Sequence, residues 1–174
     1  MSEYEFTLKF NLLDDSQDPN IYVKHLYENN CDDALIGVGQ QGRIALDFIR
    51  EAENALDAVM SAVKDVKTVI PHAQLIEATP DIVGATDIAS VLGVSRQNIR
   101  KLTVTHKATF PTPIHEEKST FWHLASVLSW FKEKQNYPFD ESLFDIATVN
   151  MQLNIAKEAQ KLDHSISSKL AAIF

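Results

Sequence analysis

Between positions 95 and 101 the chain reads Ser-Arg-Gln-Asn-Ile-Arg-Lys. These side chains are suited to reading duplex nucleic acid. An Arg fork matches the acceptors of a guanine edge, Gln and Asn match an adenine edge, and Ser and Lys suit phosphate oxygens. On a helix, Ile99 and Leu102 would point inward. Arg96, Gln97, Asn98, Arg100 and Lys101 would then face outward, toward a major groove. An ordinary solvated helix has much the same composition, so the run takes its meaning from the elements that hold it.

Those elements repeat a known order of signals. Thr86 is a helix N-cap candidate, since its hydroxyl can accept a first-turn N–H. Ile88, Ala89, Val91 and Leu92 put apolar groups on one face of a short helix. Gly93 supplies the left-handed stop and Val94 plugs the corner. Ser95 caps the second helix. Two prolines make Phe110-Pro111-Thr112-Pro113-Ile114 an extended segment, expected as a short strand. His115 to Ser119 reads as a turn and Thr120-Phe121-Trp122 as the returning strand. Leu124 to Lys134 reads as a helix, with Leu124, Val127, Leu128 and Phe131 at helical spacing.

About fifty residues, 83–134, resemble the winged helix-turn-helix DNA-binding domains of the excisionase, AlpA-type and MerR-like group. The resemblance is carried by Asp87-Ile88-Ala89, Leu92-Gly93-Val94-Ser95-Arg96-Gln97, Arg100 to Leu102, Phe110 to Ile114, Trp122 and Trp130-Phe131. It implies a bacterial or phage transcriptional regulator that binds double-stranded DNA sequence-specifically. Arg96, Gln97 and Arg100 are then the base-edge contacts. Ser95, Asn98, Lys101, His106 and Lys107 are phosphate or positioning contacts, and Lys118 and Ser119 act from the wing. The wing departs from the group's basic pattern by carrying Glu116 and Glu117 beside Lys118.

The net charge of −8 has the wrong sign for such a partner until it is divided along the chain. Residues 1–80 hold 6 Lys/Arg against 14 Asp/Glu, a net −8. Residues 84–134 hold 7 against 4, a net +3, and residues 135–174 hold 3 against 5. Positive charge is thus concentrated in the proposed reader, and the acidic part should sit away from phosphate.

The rest of the chain implies an α+β fold. Tyr4, Phe6, Leu8, Phe10 and Leu12 alternate with polar residues, as in a half-buried strand. Asp14 to Gln17 reads as loop, and Asp18-Pro19 as the start of a helix carrying Ile21, Tyr22, Val23 and Leu26 inward. Asn29 and Asn30 end it. Ala34 to Val38 and Arg43 to Ile49 form a hairpin about a glycine-containing turn. A second helix presents Leu56, Val59, Met60, Val63, Val66 or Lys67, and Ile70 before Pro71, and Gln74 to Ala78 is a last strand. This β-α-β-β-α-β order is the ferredoxin-like arrangement. The expected domains are residues 1–79, an acidic ferredoxin-like domain; 80–137, the winged helix-turn-helix; and 138–174, a long C-terminal helix from Asp140 to about Leu162 with a frayed tail. Phe144, Thr148, Met151, Ile155, Ala159 and Leu162 form a stripe that suits either the chain's own domains or a partner helix. A homodimer through this helix or through the N-terminal sheet is the second partner the pattern admits.

No catalytic or metal-binding constellation emerges. The six histidines lie apart from one another and from Cys31, the only cysteine, so no zinc spacing exists. Asp32 and Asp33 would raise the Cys31 pKa and disfavour a reactive thiolate. Gly37, Gly39 and Gly42 lie between strands without a following Walker-type lysine, which makes them a turn, not a phosphate loop. The expectation is a cytoplasmic non-enzyme with no cofactor, no metal and no membrane segment. Two other functions remain open: a protein-interaction adaptor with a degenerate helix-turn-helix, and a regulator sensing an unknown small-molecule effector through its N-terminal domain.

Overall fold

The computed structural model describes residues 1–13 and 18–173, and shows a mixed α+β chain with two small antiparallel sheets. The loop expected at Asp14 to Gln17 lies outside the described residues. The first sheet comprises β1 (Ser2–Asn11), β2 (Ala34–Gly37), β3 (Arg43–Ala52) and β4 (Gln74–Thr79), in the order β2-β3-β1-β4. Helices α1 (Asn20–Glu28) and α2 (Ala55–Val69) interrupt these strands in the sequence. The period-two pattern of β1 buries Tyr4, Phe6, Leu8 and Phe10, and β3 buries Ile44, Leu46 and Phe48 on the same side. Phe6 lies opposite Phe48, and their rings stack at 5.3 Å.

Local signals fix the helix ends. Asp18 Oδ1 accepts the Asn20 N–H at 3.0 Å, and Asn30, at φ 63°, ends the following turn. Asn54 Oδ1 accepts the Asp57 N–H at 2.9 Å to open α2. The inner face of α2 differs from the expected stripe. Ala55, Ala58, Val59, Ala62 and Val66 are buried, whereas Leu56 and Met60 are exposed. The alanines let the helix lie close against the sheet, and that choice rotates the larger side chains outward. On α1, Leu26 is buried and Ile21 is exposed for the same reason of helix phase.

One buried cation ties this part together. The Arg50 guanidinium donates to Asp33 at 2.7 Å, Asp65 at 2.8 Å, Ser61 at 3.1 Å and the Asn30 carbonyl. Burial opposes its charge, but the two carboxylates outweigh that and raise its pKa. Nearby Cys31 is fully buried. Desolvation, together with Asp65, Asp33 and Asp32, pushes its thiol up to about 11 against the opposing pull of Arg50.

The second sheet is β5 (Ile82–Val83), β6 (His115–Glu116) and β7 (Thr120–His123), ordered β5-β7-β6. Between β5 and β6 lie α3 (Ala85–Leu92) and α4 (Arg96–Thr105). Helix α3 starts earlier than its sequence implies. Gly84 precedes it, and the Asp87 carboxylate accepts the Gly84 N–H at 2.8 Å, so Thr86 is already inside the helix. Val91 is exposed, not buried with Ile88, Ala89 and Leu92. The strand expected at Phe110 to Ile114 is displaced to His115–Glu116. Pro111 and Pro113 have no N–H to donate, and the ladder begins only with the Ile114 N–H, which donates to Phe121 O at 2.9 Å.

Helix α5 (Leu124–Trp130) continues through a π turn over Phe131–Gln135 and stops at Asn136, where φ is 46°. Helix α6 (Glu141–Ala159) then joins two cores. Ile146, Val149 and Leu153 pack with the core of the four-stranded sheet, while Leu143, Phe144, Ala147 and Met151 join the second core, where α6 packs against α5. The front of the expected stripe is thus covered by the chain itself, and Ile155 and Leu162 are exposed. The short connection after β4 is fixed by Asp81, only 1% exposed. Its carboxylate lies 2.7 Å from His123 Nδ1 and accepts from Asn154 Nδ2 at 2.8 Å. Where a frayed stretch is expected, α7 (His164–Leu170) forms instead, with Asp163 accepting the Ser165 N–H at 2.7 Å. Among the described residues, no helix is long and apolar enough to cross a membrane.

Candidate nucleic-acid interface

Helix α4 is positioned by a turn and an aromatic cluster. Gly93 takes the left-handed conformation at φ 64°, and the Val94 N–H returns to Ala89 O at 2.9 Å, closing the end of α3. Ser95 Oγ accepts the Asn98 N–H at 3.1 Å and caps α4. Ile99 is fully buried and Leu102 packs beside it, anchoring the inner side of the helix. Tyr137 donates to Leu92 O at 2.8 Å, tying the end of α3 to the chain beyond α5.

Phe110 stands edge-on to both Trp122 and Trp130, at 5.8 and 5.0 Å. Trp122 Nε1 donates to Pro111 O at 3.1 Å and Trp130 Nε1 to Thr109 Oγ1 at 3.3 Å. Each buried indole N–H thereby finds a partner. The loop after α4 and the β6–β7 hairpin are held on one framework.

Arg96 and Arg100, one turn apart on α4, meet Lys118 and Ser119 of the hairpin turn around a concavity of ≈340 Å³. Thr86 and Asp87 of α3, with Thr103 and Thr120, line the same surface. Gln97, Asn98, Lys101 and Lys107 are exposed but lie outside this concavity. Ser95 is already committed through its hydroxyl to the cap. His106 is half-buried with its ring 5.4 Å from Trp130, which directs it toward the aromatic cluster.

The electrostatics are simple. Arg96, Arg100, Lys101, Lys107 and Lys118 form no ion pair with any described residue. Arg50, Lys132 and Lys157, by contrast, are neutralised by neighbouring carboxylates. Unpaired cations on one surface retain their full attraction for an anionic partner. Asp87 at one side of the concavity, and exposed Glu116 and Glu117 on the hairpin, limit that field.

One surface residue is absent from the sequence-based set. Val104 is 78% exposed near the outward centre of α4, between the directions of Arg100 and Lys101. Its signal is an apolar residue interrupting a polar helix face, two turns after Gln97. A methyl-bearing side chain there is suited to contact with a thymine methyl group. Among the described residues, no cluster of His, Cys, Asp and Glu is arranged to hold a metal ion. No family model, curated protein or solved structure matches the chain at a significant level.

Proposed function

We propose that the chain binds double-stranded DNA sequence-specifically and acts as a transcriptional regulator, with α3, α4 and the β6–β7 hairpin working as a winged helix-turn-helix of the MerR/excisionase kind. The observation that carries this reading is the gathering of five cations, none in an ion pair with a described residue, on α4, the loop after it and the hairpin turn, in a chain that is otherwise acidic. Arg96, Gln97 and Arg100 read base edges, with Val104 against a thymine methyl. Lys101 and Lys107 neutralise phosphates beside the groove, and Lys118 and Ser119 do so from the hairpin. Ser95 acts by capping α4 through the Asn98 N–H, and the exposed Asn98 side-chain amide stands free beside that end for a phosphate oxygen.

The strand order β2-β3-β1-β4 with two intervening helices supports a ferredoxin-like companion domain. The acidic companion disfavours non-specific duplex binding. Selecting bound duplexes from a random library tests the proposal. Enrichment of a defined site, palindromic if two copies bind symmetrically, is the expected result. Failure to enrich any sequence overturns it. The exposed Glu116 and Glu117 favour a second reading, a protein-interaction adaptor that has lost duplex binding, and that outcome would support it.

A further inference from the structure

All the helices that pack on the four-stranded sheet lie on the side of Phe6, Leu8, Phe10 and Phe48. The opposite side of the sheet is open and meets α3 and β5 in a groove of ≈580 Å³. Four large apolar side chains are exposed along it. Leu35 is 71% exposed and Ile49 54%, while Ile82 and Val91 continue the line onto β5 and α3. They come from four different elements, so no single amphipathic stretch accounts for them. Contiguous exposed apolar surface of this kind marks a contact site.

The charge around it has one sign. Glu5, Asp47 and Asp87 border the groove and are exposed, and none is in an ion pair with a described residue. Among the described residues, no lysine, arginine or histidine lines it. A phosphate backbone would be repelled here. The dimensions exceed what a small organic cation needs. Leu35 pairs with Asp47, Asp47 with Thr7 and Thr7 with Thr79, so the track crosses three interstrand spacings, about 14 Å.

We infer that this groove is a docking site for a basic, apolar polypeptide segment of a partner protein. Its aliphatic side chains cover Leu35, Ile49, Ile82 and Val91, and its lysines or arginines face Glu5, Asp47 and Asp87. Charge complementarity selects the occupant, because an acidic or neutral apolar segment leaves three carboxylates without a counter-charge. The site does not depend on duplex binding by α4, although Asp87 borders both concavities.

The test uses the full chain and a fluorescein-labelled twelve-residue leucine–lysine peptide, with a leucine–glutamate peptide as control. Anisotropy should report binding of the lysine peptide alone. Amide NMR shifts should concentrate at residues 5, 35, 47, 49, 82 and 91. Glu5→Lys with Asp47→Lys should weaken binding at least tenfold, as should Ile49→Glu. Glu3→Lys, a single charge reversal outside the groove, should leave it unaltered, while Glu5→Lys alone should already weaken binding. All four positions are exposed, and circular dichroism verifies that each variant is folded. No binding, shifts spread over the whole acidic surface, equal loss in Glu3→Lys, or self-association of the chain through this face would each overturn the inference.

Discussion

If α4 and the hairpin grip DNA, the salt dependence of binding follows from their unpaired cations. Each phosphate neutralised by a Lys or Arg contributes about −0.9 to the slope of log K against log salt concentration. Lys101, Lys107 and Lys118 alone give a slope of about −2.7 per chain, and adding Arg96 and Arg100 gives about −4.5. Raising NaCl from about 50 to about 200 mM should then weaken binding by about 40-fold to about 500-fold per chain. Fluorescence anisotropy on a selected duplex at several salt concentrations measures the slope directly. Lys101→Ala should make the slope shallower by about 1 and weaken all sequences alike. Lys132→Ala should leave it unchanged, because Lys132 already pairs with Glu141 at 2.7 Å. A slope near zero, or equal effects of Lys101→Ala and Lys132→Ala, would refute the assignment of the gripping surface.

Arg96→Ala should behave differently from Lys101→Ala, costing about 1–3 kcal/mol on the preferred site while relaxing discrimination at one base pair. Competition titrations with point-mutated duplexes measure this. Gly93→Ala meets no atom within 4 Å, so its cost is that of the left-handed backbone alone, about 1–2 kcal/mol in urea unfolding. Arg50→Ala leaves Asp33 and Asp65 without their shared cation and should cost about 3–5 kcal/mol by the same measurement. Cys31 is buried and keeps its proton to about pH 11, well above the range where an exposed thiol ionises. Labelling with a disulfide reagent at pH 9 should therefore proceed only at the rate of unfolding, and fast labelling of the folded chain would contradict the burial.

The signals that proved legible in the sequence are those fixed within a few residues. Alternation in β1, the left-handed stop at Gly93 and the cap at Ser95 each depend on neighbours along the chain. The departures arise where distant groups decide. The face of α2 is set by what the sheet can accept, and Ala58 and Ala62 fit where Leu56 and Met60 do not. The start of the hairpin ladder is set by which residues can donate across to β7, and the prolines move it beyond Phe110. The surface on α4 was legible as a list of polar residues. The grouping of Arg96 and Arg100 with Lys118 was not, because it depends on the hairpin folding back over α4.

Helix α6 is buried by two neighbours at once. A single apolar stripe in its sequence suits one partner, yet the helix presents Ile146 to the sheet core and Ala147 to the other. Adjacent residues about 100° apart on the helix can serve two neighbours, and a sequence pattern does not announce which neighbours exist. Asp81 strengthens the same junction by facing His123 at the end of β7 and Asn154 of α6. The four-stranded sheet and the α4 surface are thus joined by packed side chains and not by a free linker. A segment bound in the acidic groove touches α3 at Asp87 and at Val91, the latter two residues before the Gly93 stop that orients α4. If α4 reads DNA, docking at the sheet and reading by α4 share α3, which gives coupling a direct route beside the packed junction of α6 and Asp81.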